Sequence, residues 1–131
     1  MGVRLKKGQV ALEFMIMFGF AALLLLLFLS ITLARTIEFN NERQSQLIKD
    51  LALGTQKEIN LAFESRDGYY HEFKLPSTLL GIHYDVTIKD TLLIVNSSKE
   101  EIDVVIPKLT GNIQKGTNII KKEGGLVYLN P

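Results

Sequence analysis

The chain has 131 residues, 15 Lys or Arg against 14 Asp or Glu, a net charge of +1 and no cysteine. That length holds one small domain, the lack of cysteine excludes a disulfide framework, and the dispersed charges exclude a basic stripe that would make nucleic acid the primary ligand. Proline and glycine are concentrated nowhere, and no repeat or block of like charge marks a disordered tail.

The N-terminal third is dominated by residues 6–34. Within it, residues 14–34 are 21 consecutive uncharged residues, enough to cross a bilayer core as a helix, for which about 20 suffice. An ordinary secretory signal has an apolar region of roughly 7 to 15 residues followed by a small-residue cleavage site. Here the run is longer, no A-x-A site follows Ala34, and the small residue beside a basic cluster, Gly8, precedes the apolar run. A peptidase that cuts must cut on the basic side and leave the helix on the mature chain. Arg4, Lys6 and Lys7 lie before the run and only Arg35 closely follows it, so the positive-inside bias keeps the N-terminus in the cytoplasm and sends the rest outward. Glu13 lies one turn inside the apolar helix, where an ionisable residue is a functional candidate; the plainer alternative is a carboxylate reaching toward headgroup water.

The leader R-L-K-K-G, then Gln9, then Glu13 five residues into the mature chain, resembles the archaeal class III signal peptide of type IV pilin-like proteins. The family's commonest pattern has serine two residues after the glutamine, where this chain has Ala11. The resemblance implies cleavage between Gly8 and Gln9 by a prepilin peptidase, loss of the 1–8 leader, and delivery to a pilus assembly ATPase and its platform machinery. It implies a homopolymer packed through the N-terminal helix, with Glu13, Phe14 and Phe18 as assembly residues. Glu13 would meet the amine that cleavage creates on a neighbouring Gln9, a group with a reference pKa of about 7.7 to 8.0.

Beyond Ala34 the chain is polar nearly all round to Gln46, a weak continuing helix with Asn40 and Asn41 as the place for a bend. Helical periodicity returns with Ile48, Leu51, Ala52, Ile59, Ala62 and Phe63 on one face. The predicted helix is 9–63, with a membrane or filament-core part at 10–34 and an amphipathic part at 43–63. Gly54 lies inside it at a cost of about 1 kcal/mol relative to alanine. The stretch ending at Gly68 stops it.

From Tyr69 the period is two. Tyr69, His71, Phe73 and Leu75 alternate with polar residues, as do Ile82, Tyr84, Val86 and Ile88. Further strands are expected at 91–95, 102–106, 118–121 and 126–130, with Asn96 to Lys99 as a loop and the last pair joined by a hairpin at 122–125. A sheet of five or six antiparallel strands with one apolar face needs a cover, and the amphipathic helix face supplies it. The expected class is α+β, a pilin-like lollipop with the exported β-domain at 64–131.

No phosphate-binding loop, nucleophile motif or zinc spacing is present. His71 shares a strand face with Tyr69 and Phe73, the setting of a satisfied, half-buried histidine, and His83 sits beside Asp85 on the polar face. No catalytic, cofactor-binding or metal-binding residues are assigned. Asn96-Ser97-Ser98 matches the N-x-[ST] glycosylation acceptor pattern on the exported side.

The expectation is a structural subunit, not an enzyme. It would be a single-pass membrane protein before assembly and part of an extracellular adhesive filament afterwards. Two alternatives are a monomeric membrane-anchored binding domain and an archaellum-like subunit; in the latter, glutamate is not the residue expected at the position of Glu13.

Overall fold

The computed structural model describes the backbone of residues 2–131 and side chains from Lys6 onward. Met1 and the Arg4 side chain of the expected leader lie outside the described residues. The chain is one long helix followed by seven strands: α1 (Gly2–Glu64), β1 (Tyr70–Leu75), β2 (Tyr84–Lys89), β3 (Leu92–Ser97), β4 (Glu101–Val105), β5 (Thr110–Gly111), β6 (Gly116–Glu123) and β7 (Leu126–Leu129). The chain divides into two compact units, one ending at Asn41 and the other Glu42–Pro131, and α1 contributes to both.

The helix begins before the expected position 9 and includes the leader residues from Gly2. It also continues through Asn40 and Asn41, the place expected for a bend. It ends at Glu64, one residue beyond the expected Phe63.

In the unit Glu42–Pro131, α1 buries Ile48, Ala52, Thr55, Ile59 and Ala62. The steps of 4, 3, 4 and 3 between them define a straight stripe along one helix face. Leu51 packs at its edge. Phe63 does not belong to it and is 46% exposed: with Ala62 facing inward, the next residue is turned about 100° away. Its ring instead lies under the Lys122 ammonium, 5.5 Å from Nζ. Thr55, absent from the predicted face, is buried because its hydroxyl donates to the Leu51 carbonyl (2.8 Å), which leaves only its methyl to pack.

The strands form two sheets, β1-β6-β7-β5 and β2-β3-β4. Pairing is antiparallel except for β5, which runs parallel to β7. Alternation assigns the inward positions: Tyr84 and Val86 of β2, Leu93 and Val95 of β3, Ile120 of β6, Val127 and Leu129 of β7 are buried, and with Ile106, Ile113 and the helix stripe they make one core. Strand β5 carries no such signal. It is two residues long and exposed, so no periodicity marks it.

Three polar arrangements fix the connections. Asn118 is fully buried and satisfied: its amide donates to the carbonyls of Gln114 (2.7 Å) and Gly116 (3.2 Å), while its oxygen accepts from the Gln114 N–H (3.0 Å) and the Asn130 amide (2.9 Å). Asn130 also donates to the Asn112 carbonyl (2.9 Å) and accepts from the Ile119 N–H (2.8 Å). The Lys122 ammonium donates to the carbonyls of Phe63 and Ser65, closing the end of α1. The β6–β7 turn is built on Gly124 and Gly125, both at positive φ, as a two-residue hairpin of this twist requires.

Candidate processing and assembly segment

The residues assigned to processing and assembly lie in the part of α1 before Glu42. From Lys6 to Asn41 every side chain is exposed except Ala22, which is intermediate. This is the one helix among the described residues that is long and apolar enough to cross a membrane. Its hydroxyls suit such an environment. Ser30 donates to the Leu26 carbonyl (2.8 Å), Thr32 to that of Phe28 (2.8 Å) and Thr36 to that of Thr32 (2.9 Å), so none of them needs water. The first ion pair follows at Arg35 and Glu38, 3.5 Å apart and mostly exposed.

Gly8 and Gln9 sit within the first turns of α1, and nothing approaches within 4 Å of where a Gly8 side chain would begin. The Gln9 side-chain amide donates to Glu13 Oε1 at 3.3 Å, the i, i+4 relation that places two side chains over one another. Sequence reasoning used Gln9 only for its backbone amine and missed this contact, although the spacing was there to show it. One turn on, the rings of Phe14 and Phe18 stack with centroids 6.3 Å apart and planes 22° from parallel. Glu13 is the only charged residue from Gly8 to Ala34. The segment therefore presents an apolar rod with a single carboxylate near its start, held by one amide.

In the unit Glu42–Pro131, Asn96 lies at the end of β3 rather than in the loop expected from its sequence; it is exposed and in register with Asp85 and Glu101. The turn begins two residues later because Ser97 Oγ accepts from the Glu100 N–H (3.2 Å) and donates to the Glu100 carbonyl (3.0 Å). His83, Asp85, Asn96 and Ser98 border a shallow depression of about 320 Å³. Asp85 is paired with Lys115 (3.2 Å), whose ammonium also lies 5.1 Å from the centre of the Tyr84 ring. Burial raises the Tyr84 phenol above its ordinary value, and its hydroxyl donates to the Pro76 carbonyl.

His71, expected to be half-buried, is exposed at the end of α1's cover, with Nε2 3.4 Å from Glu58 Oε2. That oxygen is buried and has no hydrogen-bond partner. Burial and, secondarily, the Glu58 charge raise the Tyr69 phenol. Among the described residues no group of three or more His, Cys, Asp or Glu side chains could hold a metal ion. Compared with family models, curated proteins and solved structures, the chain matches none.

Proposed function

We propose that the chain is the subunit of an archaeal type IV pilus-like surface filament that serves adhesion. After a prepilin peptidase removes residues 1–8, it assembles by packing of its N-terminal helix. The observation that carries this reading is the apolar rod from Val10 to Leu33, whose large hydrophobic side chains are exposed, combined with the lone carboxylate of Glu13 within it. A bilayer satisfies the apolar surface and leaves the carboxylate costly at depth. A bundle of identical helices satisfies both, because the new Gln9 amine of one copy can meet Glu13 of another, and a buried pair broken on one side costs on the order of 3 to 5 kcal/mol. Leader removal fits the same physics, since each Lys or Arg carried toward the bilayer centre costs roughly 2.5 to 3.5 kcal/mol.

The test is a Glu13→Gln chain expressed in cells lacking the native copy, comparing processed membrane protein with protein in sheared filaments. Processing at Gly8, read as a mature N-terminus at Gln9 by mass, is expected to continue while filaments are lost. Normal filaments from this variant would remove Glu13 from assembly, and a retained Met1 in filaments would overturn the processing site. A monomeric anchor, the competing reading, has no neighbouring amine and would leave the variant without any filament phenotype to lose.

A further inference from the structure

We propose that Asn96 is the acceptor of an N-linked glycan whose first sugar, a neutral hexose or N-acetylhexosamine, rests in the depression between the ends of β2 and β3. Its premise is export of the unit Glu42–Pro131, which the filament reading includes.

Asn96-Ser97-Ser98 is the one N-x-[ST] triplet of the chain, and the structure divides its three residues between two tasks. Ser97, in the middle, builds the turn. Its backbone N–H and its hydroxyl both donate to the Glu100 carbonyl (2.8 and 3.0 Å), and its Oγ accepts from the N–H groups of Glu100 (3.2 Å) and Lys99 (3.4 Å). The two residues on which the acceptor pattern depends are left over. Asn96 and Ser98 are both exposed, and among the described residues no hydrogen bond engages the Asn96 amide or the Ser98 hydroxyl. Asn118 and Asn130 are the contrast, because their amide nitrogens already donate to carbonyl oxygens around the core. The Asn96 nitrogen is free to react and stands at a strand end beside a surface turn.

The reaction is a group transfer without redox change. Asn96 Nδ2 bonds to the anomeric carbon of a sugar carried as a lipid-linked diphosphate. The bond from that carbon to the diphosphate oxygen breaks, the diphosphate leaves with the electron pair, and the nitrogen gives up one proton.

The surroundings of Asn96 select the kind of sugar. Asn96 lies on the rim of a depression of about 320 Å³ bordered by His83, Asp85 and Ser98, so a ring bonded to its nitrogen has that hollow beside it. Asp85 on one side and Glu101 on the other are its partners in register, and cross-strand partners share a sheet face. Carboxylates accept strong hydrogen bonds from sugar hydroxyls, whereas a sugar acid would set like charges against each other. A neutral, hydroxyl-rich ring fits this pair.

The test uses the full chain expressed in archaeal cells. Trypsin cuts after Lys89 and Lys99, so Asn96 falls in the peptide 90–99, whose mass and fragmentation give the attached sugars in order. The peptide is expected to carry a neutral first sugar in the native chain and in Ser98→Thr, and none in Asn96→Gln or Ser98→Ala. Protease added to intact cells reports export separately. An unmodified native peptide from a unit that this protease digests overturns the acceptor; an unmodified peptide from a protected unit overturns export, and the acceptor with it. An acidic first sugar would overturn the role given to Asp85 and Glu101. Hydroxyl-radical oxidation then reads the resting place, with exposed His71 of β1 as the internal reference. Oxidation of His83 relative to His71 is expected to be at least twofold lower in the glycosylated chain than in Ser98→Ala, and an equal ratio would overturn the docking of the first sugar.

Discussion

Gly111 is the most tightly enclosed glycine among the described residues. Its φ is +116°, and a Cβ there would lie 1.8 Å from the Leu129 carbonyl oxygen, far inside any van der Waals contact. Glycine allows the two backbones to meet in the parallel β5–β7 pair, Thr110 with Tyr128 and Gly111 with Leu129. Gly111→Ala is therefore expected to cost at least ~2 kcal/mol, read as a lowered midpoint of chemical unfolding followed by the tyrosine near-ultraviolet signal. A midpoint equal to that of the native chain would mean that β5 is dispensable. This residue was visible in the sequence only as punctuation, since a glycine beside an asparagine marks a connection without saying what approaches it. Asn118 was less legible still. It sits between apolar neighbours in a strand, and its burial depends on Asn130 and Gln114, partners that only the fold brings together.

At the level of elements, the long helix and the strand pairs were legible because each carries its own period. The stripe on α1 was read nearly in full, with Phe63 wrongly included and Thr55 overlooked. Both errors arise from the same cause: a hydropathy pattern weighs a residue's chemistry, whereas burial follows its angle around the axis. Ile59 and Phe63 make the distinction measurable. Ile59 is fully buried, so Ile59→Ala is expected to cost about 2 to 5 kcal/mol. Phe63→Ala removes a half-exposed ring and its contact with Lys122 and is expected to cost about 1 kcal/mol. Unfolding midpoints of the two variants in the same detergent give the comparison, and equal losses would contradict the burial pattern. The strands β2, β3 and β4 were each legible from their periodicity and composition, and the turn between β2 and β3 holds Asp90 at positive φ. The separation of the strands into two sheets did not follow, because period two assigns faces and says nothing about which strands share a ladder.

Across the whole molecule, the change of composition near residue 42 was the most informative feature of the sequence. The apolar run ends, a polar stretch follows, and periodicity resumes where a core is available; the division into units falls between Asn41 and Glu42. Among the described residues, the core of the second unit is drawn from Ile48 to Leu129. A chain beginning at Glu42 is therefore expected to fold alone, monomeric and rich in β-structure, since about 90 residues suffice for an independent domain. Sedimentation and circular dichroism check it, and an aggregated or disordered product would show that the core needs the apolar segment. The candidate assembly residues were legible for the opposite reason: one charge in a long uncharged run stands out without any knowledge of the fold.

The buried helix stripe also has a mechanical meaning. A tether pulled along the axis of α1 would load Ile48, Ala52, Thr55, Ile59 and Ala62 side by side, in shear, with Lys122 gripping the far carbonyls. Contacts loaded in parallel must slip together, whereas contacts peeled from one end fail singly. The unit Glu42–Pro131 is thus built to resist tension arriving through its own helix.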